Sequence, residues 1–499
     1  MKKGNREWGI GNREPIYALF IMVLFFLPHI GIAAQESFGF GDDGSGPSNV
    51  SVNIGGQVQA ELKGFFGDMN SADKIKNIQA GDIFSGNLNF DAAGSAAEAV
   101  INLKLTPTFD GSSPVTFDEA FARAFFGPVT VEGGLRKLTW GKADSFGPLD
   151  VINPLDYTDL TKLSDPPSVK LARPMVHAIW SLGSFTKLEG VFVPWFQGDT
   201  FATSGRWVPS QVTDLQTVIG KTLTGTATRI GQLAGGGAIT PEEAGLLTNT
   251  ITKIGTSLEN SIESGSIFPE TTTLKYAQAG MRFTTTIGSS DIGLQYYFGR
   301  FHRPVISGLN PDSFFDLTGL HPEALTPTIN YNYYHQIAAD YASVIAGFNV
   351  RAEAGANITK DLDGTDGTVE NPAIIWSLGF DRDLFAGINL NLQGTGKLRL
   401  FYDKIADDPL KDCEAGTDMT STRITAKLSR KFFQDELELK ATGLWGIEDK
   451  DLLIMSGVVW AKNDVSTELS AGFFGGDKNG ELGQYRDNAF VRVIMSYSF

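Results

Sequence analysis

From Val50 to Leu62 the even positions read Val50, Val52, Ile54, Gly56, Val58, Ala60, Leu62, while the odd ones read Ser51, Asn53, Gly55, Gln57, Gln59, Glu61. A period of two held over this length suits a β-strand with one apolar and one polar face, and it suits no helix. At the far end Val491, Val493, Met495, Tyr497 and Phe499 alternate with Arg492, Ile494, Ser496 and Ser498. Similar segments are expected at 82–91, 97–107, 115–126, 129–140, 175–182, 185–195, 272–286, 290–300, 333–343, 345–357, 372–380, 386–402, 421–430, 435–446, 451–461 and 465–474. With the two ends they make eighteen candidate strands. Many are about 10 residues long, the length a tilted strand needs to cross a bilayer.

The connections carry an independent order. Taken along the chain, the even-numbered ones are short, as at Gly127-Pro128, Gly183-Ser184, Gly288-Ser289, Asp381 to Leu384 and Phe433 to Asp435, and the odd-numbered ones are mostly long. A sandwich or propeller has no reason to sort its loops by parity, whereas transmembrane barrels have short periplasmic turns and longer external loops. The expected fold is therefore all-β, a transmembrane antiparallel β-barrel of about 18 strands spanning residues 50–499. Pairing the first strand with the last removes an edge that lipid would leave unpaired. Segments 82–91 and 97–107 alternate least clearly, and without them the count is 16.

One insert breaks the β pattern. Residues 209–265 carry helical spacing at Leu247, Ile251, Ile254 and Leu258, preceded by Thr240, Pro241 and Glu243, which fit an N-cap, a first-turn proline and a capping-box acid. This predicts a helical hairpin in one external loop that covers the barrel mouth, with a plug or gate as the sharper alternative.

At the start, Lys2, Lys3, Arg6 and Arg13 precede an apolar run from Ile16 to Ile30 and the small residues Ala33 and Ala34. That order predicts a secretory signal peptide over 1–34, followed by a short segment 35–49. A bilayer helix needs about 20 unbroken apolar residues, and this run contains Pro28 and His29. Cys413 is the only cysteine, which rules out an intrachain disulfide. The formal charge is -16, and removing the four basic and two acidic side chains of 1–34 takes it to -18. Such acidity disfavours nucleic acid as a partner.

Enzyme signatures are missing: there is no H-E-x-x-H, no G-x-S-x-G, no Walker-type glycine loop and no paired cysteines. A barrel hydrolase using His177 or His335 is the enzymatic alternative, but a non-enzyme without cofactor or metal is expected. Asp361 to Thr368, DLDGTDGT, fails an EF-hand loop at Thr365 and Asp366 and reads as an external turn.

The run DEAFARAFFGPVTVEGGLRKLTWGKAD from Asp118, followed by DVINPLDYTD, resembles a porin-like outer-membrane family known mainly as a domain of unknown function. In that family a strand, a tight turn and a strand lead to W-G-K-A-D and then V-x-N-P-x-D. The matching positions are Trp140, Gly141, Lys142, Ala143 and Asp144, then Val151, Asn153, Pro154 and Asp156. A weaker echo is YNYYHQIAADYA from Tyr331 to Ala342, followed by RAEA at Arg351 to Ala354. Members of such a family are associated with hydrophobic or lipid-like compounds as well as ordinary solutes. The aromatic C-terminus resembles the terminal signal of bacterial outer-membrane proteins, which implies the barrel-assembly machinery as a partner read through Tyr497 and Phe499.

In this frame Trp140 is expected to end the fifth strand in an interfacial aromatic girdle, and 141–174 to form a loop stiffened by its prolines. Folded into the lumen, that loop would narrow it, with Lys142, Asp144, Asp150, Asn153, Asp156, Lys162 and Arg173 as candidate constriction residues. The expected function is a channel in the bacterial outer membrane, in contact with its lipid, for passive passage of small solutes. The alternatives are a conduit for hydrophobic or lipid-like compounds and a surface binding or structural barrel.

Overall fold

The computed structural model describes residues 50–66, 78–79, 84–106, 114–316 and 318–499. The expected signal peptide and the segment 35–49 lie outside the described residues. Eighteen strands are long: β1 (Ser51–Phe66), β2 (Phe84–Ala93), β3 (Ala97–Leu105), β4 (Val115–Phe126), β5 (Val129–Arg136), β6 (Arg173–Ser181), β7 (Thr186–Val193), β8 (Gln278–Ile287) and β9 (Ser290–Arg300) form one half. The other half is β10 (Tyr333–Ile345), β11 (Phe348–Thr359), β12 (Ala373–Asp383), β13 (Ile388–Arg399), β14 (Thr420–Phe432), β15 (Leu437–Gly446), β16 (Asp451–Lys462), β17 (Val465–Gly476) and β18 (Ala489–Ser498).

Each strand pairs antiparallel with the next, and β18 returns to β1 with Gln57 opposite Ser498 and Phe66 opposite Ala489. The Gly56 N–H donates to the Phe499 carbonyl at 2.9 Å and the Phe499 N–H donates back to Gly56 at 3.0 Å. The barrel is closed and the count is eighteen: β2 and β3 are paired from Gly86–Leu105 to Ala93–Glu98, so the sixteen-strand alternative is set aside.

Side-chain alternation sorts the two faces. Val52, Ile54, Val58 and Leu62 of β1, Leu294 and Tyr296 of β9, and Ile454 and Val458 of β16 stand exposed on the outside. Their neighbours Glu61, Lys63, Gln295 and Asp451 point inward and are buried. Apolar outside and polar inside is the reverse of a water-soluble barrel, and only a hydrocarbon surround makes that outer face favourable. Aromatic residues frame the belt. Trp180, Phe185, Phe433, Trp460, Tyr497 and Phe499 are exposed near the short turns, and Phe84, Phe117, Phe192, Tyr296, Tyr333 and Trp445 near the long loops.

The parity of the loops holds with one exception, the short odd-numbered link 447–450. The long links 194–277 and 301–332 lie on one end. The first of them carries α1 (Ser210–Gly235) and α2 (Pro241–Glu263). The capping box at the start of α2 is present: the Glu243 N–H donates to Thr240 Oγ1 at 3.2 Å and the Thr240 N–H donates to Glu243 Oε2 at 2.8 Å. The two helices pack through Ile219, Ile230, Ile251 and Leu258 against Phe314 and Leu325 of the 301–332 loop. They therefore pack on a neighbouring long loop at the same end of the barrel.

Trp140 departs from the expected girdle. β5 stops at Arg136, short of the expected end at 140, and the chain turns inward. Trp140 is 2% exposed, packed edge-on against Tyr297 at 6.3 Å and against the lumen side of β8 at Gly280. The lipid-facing aromatic group at this rim includes Tyr296 and His335 instead, joined by a 2.8 Å hydrogen bond.

Gly134 of β5 has φ 140, and a Cβ there would sit 2.3 Å from the Ala120 carbonyl oxygen of the adjacent strand. Gly134→Ala is therefore expected to cost about 1–3 kcal/mol. The check is the temperature at which the folded barrel loses its compact migration in detergent; an unchanged temperature contradicts the strain.

Candidate functional site

The connection from β5 to β6, residues 137–172, folds into the lumen and crosses it. Its frame is tied by Asn153, which is 2% exposed. The Leu138 N–H donates to Asn153 Oδ1 at 2.8 Å, and Asn153 Nδ2 donates to the carbonyls of Arg136 at 2.9 Å and Leu171 at 2.8 Å. One buried amide thus staples the loop's entry to its exit. Lys170 adds a bridge to Asp150 at 2.5 Å and a hydrogen bond to Thr139 at 2.7 Å.

The tip is held by the opposite wall. Glu353 of β11 accepts the N–H groups of Lys142 and, at 2.8 Å, Ala143. Gln393 of β13 accepts those of Asp144 at 2.8 Å and Ser145 at 3.1 Å. The Asp144 carboxylate meets Arg351 at 2.5 Å and accepts from Asn391 at 2.9 Å. Gln295 and Gln336 each donate, at 3.1 Å, to the Leu149 and Pro148 carbonyls. Further along, Asp159 bridges to Lys63 at 2.5 Å and the Thr161 carbonyl accepts from Arg492 at 3.3 Å.

Beneath these polar clamps lie apolar contacts. Leu149 packs with Ala338 and Ile375, and Leu160 and Leu163 pack with Phe65, Leu444, Leu453 and Phe490. The wide lumen of an eighteen-strand barrel is thus crossed by its own loop.

A cavity of about 370 Å³ is left between the loop and the wall from β12 to β15. Phe146, Pro148, Leu160 and Leu163 form its loop side, and Thr395, Lys397, Arg423, Thr425 and Leu444 its wall side. At the mouth Tyr157 stacks on Phe201 at 5.4 Å, and Arg303 and Arg423 share Glu481, the latter at 2.9 Å. The guanidinium of Arg303 holds the Glu481 carboxyl well below its ordinary range against the cost of burial, with Arg423 adding to the effect.

The expected constriction residues divide. Lys142 and Asp144 reach the far wall, Lys142 lying 3.4 Å from Asp291. Asp150 and Asn153 belong to the loop's frame. Asp156 is turned onto its own neighbour, accepting from the Thr158 N–H at 2.9 Å and hydroxyl at 2.6 Å. Lys162 is partly exposed and lies 3.7 Å from Asp159. Arg173 stands apart from the cavity: it is 1% exposed and donates to Gln197 at 3.0 Å and to the Trp195 carbonyl.

Sequence reasoning missed Glu353, Gln393, Lys63 and Arg492 as partners of the loop. The fragment RAEA, the weaker echo, contains both Arg351 and Glu353 and was the available signal. His177 lies inside the wall between Glu132 at 2.8 Å and Glu189 at 3.2 Å. In the turn at 361–368, the Asp361 carboxylate accepts the N–H groups of Thr365 and Asp366, at 3.1 and 3.0 Å.

No protein-family model matches the chain. No curated protein sequence matches it. Among solved structures it is similar to OccK9 (OpdG) of Pseudomonas aeruginosa, at 10% identity and a TM-score of 0.44 over 90% of this chain and 98% of that one. It is also similar to a BenF-like porin from Pseudomonas fluorescens Pf-5, at 8% identity and a TM-score of 0.46 over 90% and 98%. The outer membrane channel DcaP of Acinetobacter baumannii matches at 10% identity and a TM-score of 0.38 over 90% and 97%.

Burial opposes ionisation of Asp159, but Lys63 and Lys162 outweigh it and hold the carboxyl below its ordinary range. A depressed folded pKa stabilises the loop above the unfolded pKa of about 3.9, and the benefit is lost as pH falls through the folded value. Asp150 differs, because burial outweighs Lys170 and pushes its carboxyl up. Acidification below about pH 4 should therefore lower the unfolding temperature in part through Asp159. Asp159→Asn should flatten that slope, and a variant with the full wild-type slope contradicts the assignment.

Proposed function

We propose that the protein is an outer-membrane channel through which small polar solutes diffuse passively, along the passage beside the inward loop. The observation that carries this reading is a lumen narrowed by its own loop to a cavity of about 370 Å³ whose wall side carries Thr395, Lys397, Arg423 and Thr425. The inverted alternation supports residence in a bilayer. The sorting of short and long connections supports an orientation with the short turns toward the periplasm.

The loop brings Asp144, Asp159 and Asp165 to the lumen, while Lys63, Lys427, Lys440 and Arg492 stand on the wall from β14 round to β1. Opposed charge across a narrow passage orients a dipolar solute without reacting with it. A conduit for lipid-like compounds would need a continuous apolar inner surface. Here the apolar surface is interrupted: Phe146, Leu160 and Leu163 face the cavity from the loop, while Thr395, Lys397, Arg423 and Thr425 face it from the wall. We also retain the likeness of WGKAD and VINPLD to the porin-like family as a reading for which those residues are the support.

Outer-membrane lipid is the partner of the apolar belt. The barrel-assembly machinery is the proposed partner of the last strand, through the exposed, stacked rings of Tyr497 and Phe499, 6.3 Å apart.

In planar bilayers the purified protein should conduct ions. Replacing Lys142 to Leu149 with glycine and serine should raise the conductance, because this removes the tip that crosses the lumen. Replacing 213–262, the body of the external hairpin, with a short linker should leave it unchanged. A silent wild-type barrel overturns the channel reading, and a large rise on hairpin removal would make that hairpin the gate. For assembly, Phe499→Ala keeps the backbone bonds to Gly56 and should lower the amount of folded barrel in cells while leaving the conductance of each assembled channel intact. Normal amounts of folded barrel would remove the terminal ring as an assembly signal.

A further inference from the structure

Nearly every charge along the passage is met at contact distance by an opposite one. Asp144 and Asp381 share Arg351. Lys440 and Arg492 share Glu468, at 2.8 and 3.0 Å. Lys397 and Arg399 share Glu414, at 3.0 and 2.9 Å. Lys427 of β14 is different.

Arg423, Thr425 and Lys427 follow one another on the lumen face of β14, and Thr425 lines the cavity. Lys427 lies one step further toward the short-turn end. Across the sheet it is opposite Asn391 of β13 and Thr442 of β15, and Asn391 is the residue that donates to Asp144. Lys427 therefore sits where the cavity meets the tip of the inward loop. Among the described residues it has no carboxylate within ion-pair distance and no hydrogen-bond partner. The acids that act on it through space are Asp144 and then Asp165. Asp165 is itself exposed and has no salt bridge among the described residues.

We propose that Lys427 is the residue that admits anions to this passage, an inference that rests on the channel reading above. A paired charge presents a dipole, whose field fades quickly, while an unpaired charge acts on a passing ion as a full monopole. At this level Asp144, Asp165, Asp381 and Glu468 face Arg351, Lys427, Lys440 and Arg492. Glu353 is closed off beneath the loop tip, and Lys142 faces Asp291 as a pair. Of these bases Lys427 is the one that no carboxylate among the described residues meets at contact distance. The solutes affected are small anions, and those bearing a carboxylate or phosphate group gain an unpaired ammonium to pair with as they pass.

The test uses the full-length barrel in planar bilayers under a potassium chloride gradient. In a water-like medium a unit charge at about 4 Å biases the partition of a monovalent ion about fivefold. Lys427→Gln should shift the permeability ratio toward potassium by up to about 25-fold, since chloride loses and potassium gains about fivefold each. Lys427→Glu should shift it further, and Lys427→Arg should keep the wild-type reversal potential. Single-channel recording reports only assembled barrels, so a poorly folding variant still gives a reading. Conducting Gln and Glu variants with the wild-type reversal potential overturn the role of Lys427 and leave the channel reading standing. A wild-type barrel that never conducts overturns the channel reading itself.

Discussion

Everything in this protein follows from the need to pair every backbone N–H and carbonyl in a medium that offers no hydrogen bonds. A sheet in hydrocarbon has only closure as a solution, and the register of β1 against β18, sealed by Phe499 on Gly56, supplies it. Closure with eighteen strands then creates a second problem. The interior is too wide for wall side chains to fill, so something has to occupy it or leave it open to water.

The inward loop is that occupant, and it is held mainly by acceptors from the wall. The Glu353 carboxylate and the Gln393 amide take up backbone N–H groups that would otherwise point into the lumen unpaired. Removing such acceptors leaves buried donors unsatisfied, which is why these residues matter more than their net contribution to any single bond suggests. Ion pairs at Lys63 and Arg351 fix the loop's height in the barrel, and the leucines beneath it exclude water from its packed side. The cavity that remains lies to one side of the barrel lumen, with a largely apolar loop surface facing a wall of hydroxyls and bases.

Most of the architecture was readable in advance, because strand alternation is a local property with a strict period. All eighteen segments, the loop parity and the helical hairpin with its Thr240 cap could be placed from neighbouring residues alone. The girdle role of Trp140 could not. Its alternation continued past Arg136, but the chain leaves the sheet there, and a tryptophan at the end of a strand reads the same whether it turns to lipid or to Tyr297. The constriction set was legible only in part. Asp144 and Asn153 were visible as polar residues on a stiff loop, whereas Arg351, Glu353 and Gln393 are ordinary polar positions on strands far along the chain.

The sequence by itself determined the barrel, its two faces and the identity of the loop that turns inward as a candidate, since each depends on periodicity and on residues close together in the chain. Only the tertiary structure decided that the loop crosses the lumen, which wall receives it, and that Lys427 meets no acid at contact distance among the described residues. Those outcomes depend on contacts between residues as far apart as Asp144 and Asn391, and on which charges find partners once the barrel has closed. Pairing is a property of distance in space, and no spacing along the chain records it.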